Sequence, residues 1–96
     1  MRIRWSLDAA DDLEEISENL HIHRPKFAQS TIVRMYSDLM NLRKFPMMGR
    51  ASERRKGCRE LVLRPFPYVC TYRVDENAVY ILHIRYETQE HLIDVQ

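Results

Sequence analysis

Apolar positions recur with a helical period in the first half of the chain and alternate with polar ones in parts of the second. Ile3 and Trp5 alternate with Arg2 and Arg4, which predicts a short opening strand from Met1 to Trp5. Ser6 stands where a helix N-cap belongs. Asp8, Asp11 and Asp12 follow it, where the positive end of the helix dipole favours negative charge. Leu7, Ala10, Leu13, Ile16 and Leu20 fall at steps of three and four, predicting an apolar stripe on a helix over residues 7–22. Asp12, Glu14, Glu15 and Glu18 make its solvent face. His21-Ile22-His23-Arg24 closes the helix with groups suited to its negative end. Two residues apart, those histidines do not share a helix face and do not read as a metal pair. Pro25 opens a second helix, whose stripe runs Ala28, Ile32, Met35, Leu39, Leu42 until Pro46 and Gly49 stop it. Helices joined this closely form an antiparallel hairpin.

The period then changes. Cys58 to Leu63, Tyr68 to Val74 and Ala78 to Tyr86 are rich in β-branched and aromatic residues, and Pro65-Phe66-Pro67 and Asp75-Glu76-Asn77 separate them. Connections this short predict antiparallel hairpins. On the last strand Tyr80, Leu82, Ile84 and Tyr86 share one face and Val79, Ile81, His83 and Arg85 the other. Both faces are apolar near the middle, so a cover is expected on each. The expected fold is α+β, ordered β-α-α-β-β-β: a helical hairpin packed on a small antiparallel sheet, in one domain over residues 1–96. The tail from Glu87 to Gln96 has too few apolar residues to form a stable helix alone.

Charge changes the picture more than composition does. Of the 15 Lys and Arg, eight lie between Arg43 and Arg64 against only Glu53 and Glu60, so a chain of net charge +1 is strongly polarised. Such a zone attracts phosphates or an acidic partner surface. The only two glycines, Gly49 and Gly57, cannot write a glycine-rich phosphate cradle, and no nucleotide cofactor is expected. Cys58 and Cys70 make no zinc-ligand spacing with the four histidines and read as buried small hydrophobes; no metal is expected. No apolar run is long enough for a membrane span or a signal-peptide core, which makes the cytoplasm the default.

Trp5-Ser6 followed by Ala9 or Ala10, Asp12-Leu13 and Ile16 resembles the first strand and helix of the RelE/ParE superfamily of bacterial toxins. Phe45-Pro46 leading to Gly49-Arg50, and Gly57 with Arg59-Glu60-Leu61, continue the resemblance. So do Pro67-Tyr68-Val69 with Tyr72-Arg73-Val74, and Ile81-Leu82-His83-Ile84. The similarity spans nearly the whole chain and is closer to the ParE branch. It implies a type II toxin, neutralised by and assembling with a cognate antitoxin. RelE-like members of the superfamily cut mRNA on the ribosome, whereas ParE-like members poison DNA gyrase without nucleolytic chemistry.

Cleavage at a ribose 2′-hydroxyl needs a base, cations for the developing charge and an acid for the leaving oxygen. Leu61-Val62-Leu63 is apolar where the ribosome-dependent branch commonly carries Arg. A ribonuclease would have to rely on Arg64, Arg85 and Tyr86. His83 shares a face with Arg85 and not with Tyr86, so the three do not converge, and Glu60 is expected to pair with an arginine. The sequence therefore favours an inhibitor that binds gyrase over an enzyme that enters the ribosome to cut mRNA, with an inactive antitoxin-binding module as the third reading. Arg50, Arg54, Arg55, Lys56, Arg59, Arg85 and Gln89 are the expected target contacts. Gln89 belongs to Tyr86-Glu87-Thr88-Gln89-Glu90, which keeps the Gln-acid end of the branch's terminal motif but not its His, Gly and Arg. Trp5, Leu39, Phe45, Met47 and Met48 are the expected antitoxin contacts, on apolar surface wanting a cover.

Overall fold

Ser6 begins the first helix as its position predicts. Its backbone is extended (φ −73°, ψ 160°), and its hydroxyl oxygen accepts from the Ala9 amide at 2.9 Å. That satisfies one of the amides a first turn leaves without a partner. The hydroxyl donates in turn to the Leu82 carbonyl at 2.9 Å, and the Ser6 amide donates to that of Ile81 at 3.0 Å. One residue thus follows a strand, caps a helix and ties both to Ile81 and Leu82. The computed structural model describes residues 1–63 and 68–86. Their elements are β1 (Arg2–Trp5), α1 (Leu7–His23), α2 (Pro25–Met40), a 3-10 turn (Asn41–Arg43), β2 (Arg50–Ala51), β3 (Arg59–Leu63), β4 (Tyr68–Val74) and β5 (Ala78–Tyr86).

The buried stripe of α1 is Ala9, Leu13, Ile16 and Leu20. At 100° per residue these four fall within about 60° of one another, while Leu7 and Ala10 lie well off that line. Leu7, expected in the stripe, is accordingly 84% exposed, and Ala10 is exposed as well. On α2 the expected stripe holds: Ala28, Met35 and Leu39 are buried, Ile32 partly so, and Leu42 is buried in the 3-10 turn. The ring Nδ1 atoms of His21 and His23 turn back to the carbonyls of Ser17 (2.8 Å) and Asn19 (3.0 Å), so each imidazole serves the last turns of its own helix.

The helical hairpin packs on a five-stranded sheet of order β1-β5-β4-β3-β2. β3, β4 and β5 pair antiparallel, as expected, and an additional strand, β2, pairs antiparallel with β3, but β1 runs parallel to β5, with Ile3 opposite Val79 and Trp5 opposite Ile81. Alternation assigns residues to faces and is silent on which strand pairs with which, so the mixed sheet was not legible from it. The two-residue β2 is too short to leave a pattern. Asp75 closes the β4–β5 turn by accepting from the amides of Asn77 (2.9 Å) and Ala78 (3.0 Å).

A bulge divides β5. Thr71 faces His83 while Tyr72 faces Ile81, so Leu82 is the extra residue. The two faces predicted for the last strand therefore exchange at Leu82: Val79, Ile81 and Ile84 all enter the core, whereas Tyr80, His83 and Arg85 lie on the outer side. Ile3, Trp5, Leu61, Leu63, Cys70 and Tyr72 join the core face against Ala9, Met35, Leu39 and Leu42. The outer face carries Arg2, Arg4, Glu60, Thr71, Arg73, Tyr80, His83 and Arg85, with Val62 and Val69 as its apolar part. It is predominantly polar and cationic, which corrects the expectation of an apolar outer surface. Among the described residues no helix is long and apolar enough to cross a membrane.

Candidate functional site

Glu60 is the hub of the outer face at its β2 end. Its side chain is 6% exposed, and its carboxylate accepts from Arg50 at 3.2 Å, Ser52 at 3.0 Å and Arg85 at 3.4 Å. Burial of a carboxylate is costly unless charge and hydrogen bonds compensate it, and here two guanidiniums and a hydroxyl do so. Ser52 also organises the loop behind it. Its oxygen accepts from the amides of Arg54 (3.2 Å) and Arg55 (3.1 Å), and its own amide donates to Cys58 at 2.9 Å. Gly57, at φ +85°, supplies the left-handed turn that closes the loop, a conformation a side chain would resist. Arg54, Arg55 and Lys56 stand exposed on it. Ser52, Arg54, Arg55, Glu60, Thr71, His83 and Arg85 together line an open cleft of about 390 Å³.

A second network fixes the segment leading into β2. The buried Tyr72 hydroxyl accepts from the Gly49 amide at 2.9 Å and donates to the Pro46 carbonyl at 2.8 Å. Arg59 donates to the Gly49 carbonyl at 2.7 Å. Gly49 is required here by close approach, because a Cβ would sit 2.7 Å from both the Glu60 carbonyl and the Tyr72 hydroxyl. Burial raises the Tyr72 phenol above its usual range, partly opposed by the Gly49 amide and the Arg59 charge. Arg59, expected as a target contact, is thus engaged with the fold and half-buried.

The trio of a ribonuclease reading is not brought together. Arg85 turns to Glu60 on the outer face, while Tyr86 lies edge-on to Tyr68 on the other, ring centroids 5.4 Å apart. Burial first, and Tyr86 second, raises the Tyr68 phenol. Arg64 and Gln89 lie outside the described residues. His83 joins Arg85 on the outer face, and its Nδ1 is 3.6 Å from the Asp12 carboxylate of α1. Asp12 also accepts from the Ile84 amide at 3.0 Å, standing in for the strand that β1 no longer provides once it has ended at Trp5.

The expected antitoxin contacts separate. Leu39 is fully buried in the core, where its place in the α2 stripe puts it, and cannot serve as a surface contact. Phe45, Met47 and Met48 are exposed at 62%, 59% and 49% on the segment that Tyr72 pins. Trp5 is half-buried and lines a groove of about 530 Å³ along the hairpin with Ala10, Leu13, Ile32 and Tyr36, rimmed by Glu14 and Glu18.

Sequence reasoning missed three arginines. Arg2 and Arg4 project from the edge strand β1 on the outer side, and Arg73 of β4 stacks over the Tyr80 ring at 4.6 Å from its centroid. Counting charge along the chain hides them, because they are far apart in sequence. The Arg2-Ile3-Arg4-Trp5 alternation was the available signal.

The chain is thus a small α+β domain, with a helical hairpin on one side of a mixed sheet and an arginine-rich face on the other. The same fold occurs in the intact E. coli RelBE toxin–antitoxin complex, with a TM-score of 0.66 at 11% identity, covering 92% of this chain and 98% of that one. It occurs also in the YoeB/ParE toxin from Agrobacterium tumefaciens, with 0.62 at 15%, covering 91% and 99%. A chain of the chromosomal ParDE TA system from P. aeruginosa is closer than either, with 0.80 at 28%, covering 91% and 97%. In sequence, a protein named "Putative toxin Y4kP" from Sinorhizobium fredii (strain NBRC 101917 / NGR234) is 35% identical over 89 residues, 93% of this chain and 91% of the relative. Residues 3–91 match the family described as ParE toxin of type II toxin-antitoxin system, parDE, and the chain belongs to that family. The resemblance drawn from the sequence holds, on its ParE side.

Proposed function

We propose that this chain is the toxin of a ParDE-type pair: a cognate antitoxin holds it silent, and once released in the cytoplasm it arrests growth by binding DNA gyrase. The observation that carries a binding mechanism is the state of Glu60. A general base needs an accessible lone pair near the reacting proton, and this carboxylate is buried between Arg50, Ser52 and Arg85. A binding inhibitor needs only a complementary surface, and the exposed Arg54, Arg55 and Lys56 supply charge that steers encounter. The antitoxin is the natural cover for the Trp5 groove and for Phe45, Met47 and Met48, whose apolar exposure suits a segment that folds on binding.

The decisive assay mixes purified gyrase, plasmid and toxin. Inhibited supercoiling or trapped cleavage, both reversed by antitoxin, is the expected result; unaffected gyrase at micromolar toxin would remove the reading. One observation favours a second reading, a ribosome-dependent endoribonuclease: His83, its Nδ1 3.6 Å from the Asp12 carboxylate, lines the cleft that holds Arg85. In that case induction yields new codon-linked mRNA ends, and His83→Ala abolishes them while leaving the fold intact.

A further inference from the structure

We infer that the outer sheet face is itself a binding site for the backbone of duplex DNA, centred on Arg2, Arg4 and Arg73. Alternation sets all three on the side away from the helices, and the register places Arg4 beside Tyr80 and Arg73 on the far side of Tyr80. Strand geometry puts Arg2 and Arg4 roughly 7 Å apart along β1, and Arg4 and Arg73 roughly 10 Å apart across β5. Arg73 has a carboxylate near it, Asp75 at 3.9 Å, at the margin of an ion pair. Glu60 on this face is neutralised by Arg50 and Arg85, Asp12 of α1 sits at the His83 edge, and Asp8, Asp11, Glu14, Glu15 and Glu18 lie on α1 across the sheet, so the region of Arg2, Arg4 and Arg73 keeps its sign although the whole chain has net charge +1.

The geometry selects among nucleic acids. Tyr80 is the aromatic ring of the patch, and Arg73 occupies its face at 4.6 Å. It therefore offers no stacking platform of the kind that single strands use. What remains is an array of guanidiniums carried on paired strands, which recognises phosphate by charge and paired hydrogen bonds. The minor groove of B-form DNA is about 6 Å wide and brings two phosphate rows within reach of arginines spaced this way, whereas the minor groove of A-form RNA is wide. The site reads backbone and not sequence.

This inference does not depend on gyrase and is tested without it. Fluorescence anisotropy of a labelled DNA duplex of about 20 base pairs, titrated with the full-length toxin, should show micromolar, sequence-independent binding. If the three arginines neutralise about three phosphates, affinity falls about fortyfold between 50 and 200 mM salt. Arg4→Ala and Arg73→Ala should each weaken binding severalfold and reduce the salt slope by about one. Lys26→Ala, on the exposed start of α2, should change neither. Both arginines are on the surface, and circular dichroism will show that the variants fold. Absence of salt-dependent binding, or equal binding by wild type and the two arginine variants, overturns the inference. Tighter binding to a single strand or to duplex RNA of the same length overturns the assignment to duplex DNA.

Discussion

Replacing Tyr72 with Phe removes a single oxygen from the core. That oxygen accepts from the Gly49 amide and donates to the Pro46 carbonyl, at 2.9 and 2.8 Å. Gly49 is buried, so its amide would lose its partner in a place that water does not readily reach. An unsatisfied buried donor costs about 1–3 kcal/mol, and loss of the bond to Pro46 adds up to about 1 kcal/mol. The expected destabilisation is therefore about 2–3 kcal/mol, or about 10–20 °C in Tm for a domain of this size. Trp5, the single tryptophan and half-buried, reports unfolding by fluorescence in urea. The midpoint should fall with the slope unchanged, since the surface exposed on unfolding is the same. A loss under about 0.5 kcal/mol would refute the assignment, because it would mean the Gly49 amide is satisfied without Tyr72. The variant should also bind antitoxin more weakly, since the freed segment carries Met47 and Met48.

Other consequences follow from the same contacts. Glu60→Ala leaves Arg50 and Arg85 facing each other without their shared carboxylate; about 1–3 kcal/mol of stability should be lost, with faster proteolysis of the Ser52–Cys58 loop as the local readout. Burial pushes the Cys70 thiol up to about 12. It should therefore resist alkylation at neutral pH and react only as fast as the chain opens, which mass spectrometry of native against urea-treated protein will show. Asp75 is held below the usual carboxylate range by the Asn77 and Ala78 amides first and by Arg73 after them. A depressed folded value stabilises above the unfolded value and is lost as pH falls through the folded one, so the β4–β5 turn should loosen only in acid. Hydrogen exchange at Asn77 and Ala78, corrected for intrinsic rates, should lose protection there, and Asp75→Ala should lose it already at neutral pH.

Much of this fold was legible because local signals agreed with one another. Ser6 as cap, Pro25 at the start of α2 and the bounds of β4 and β5 follow from residue chemistry alone. The α1 stripe was misjudged by steps of three, which drift around a helix, so that Leu7 was counted inside. The bulge at Leu82 left no mark in the sequence, since period-two alternation cannot show an extra residue set by strand pairing. With it went the faces of the last strand and the expected apolar outer surface. The buried state of Glu60 was half legible: an arginine partner was foreseen, but a closed shell with Ser52 and Arg85 depends on register. Arg2, Arg4 and Arg73 escaped because a face gathers charge from residues distant in the chain.

Among the described residues the last strand in sequence stands inside the sheet: β5 is paired on both sides, with β1 and with β4. Until its final segment has been synthesised, the N-terminal strand has no neighbour to pair with, and the arginines of β1 and β4 belong to no common surface. Contacts this distant in sequence also form late during folding. A chain still emerging from its ribosome therefore presents neither the finished sheet nor the assembled arginine face.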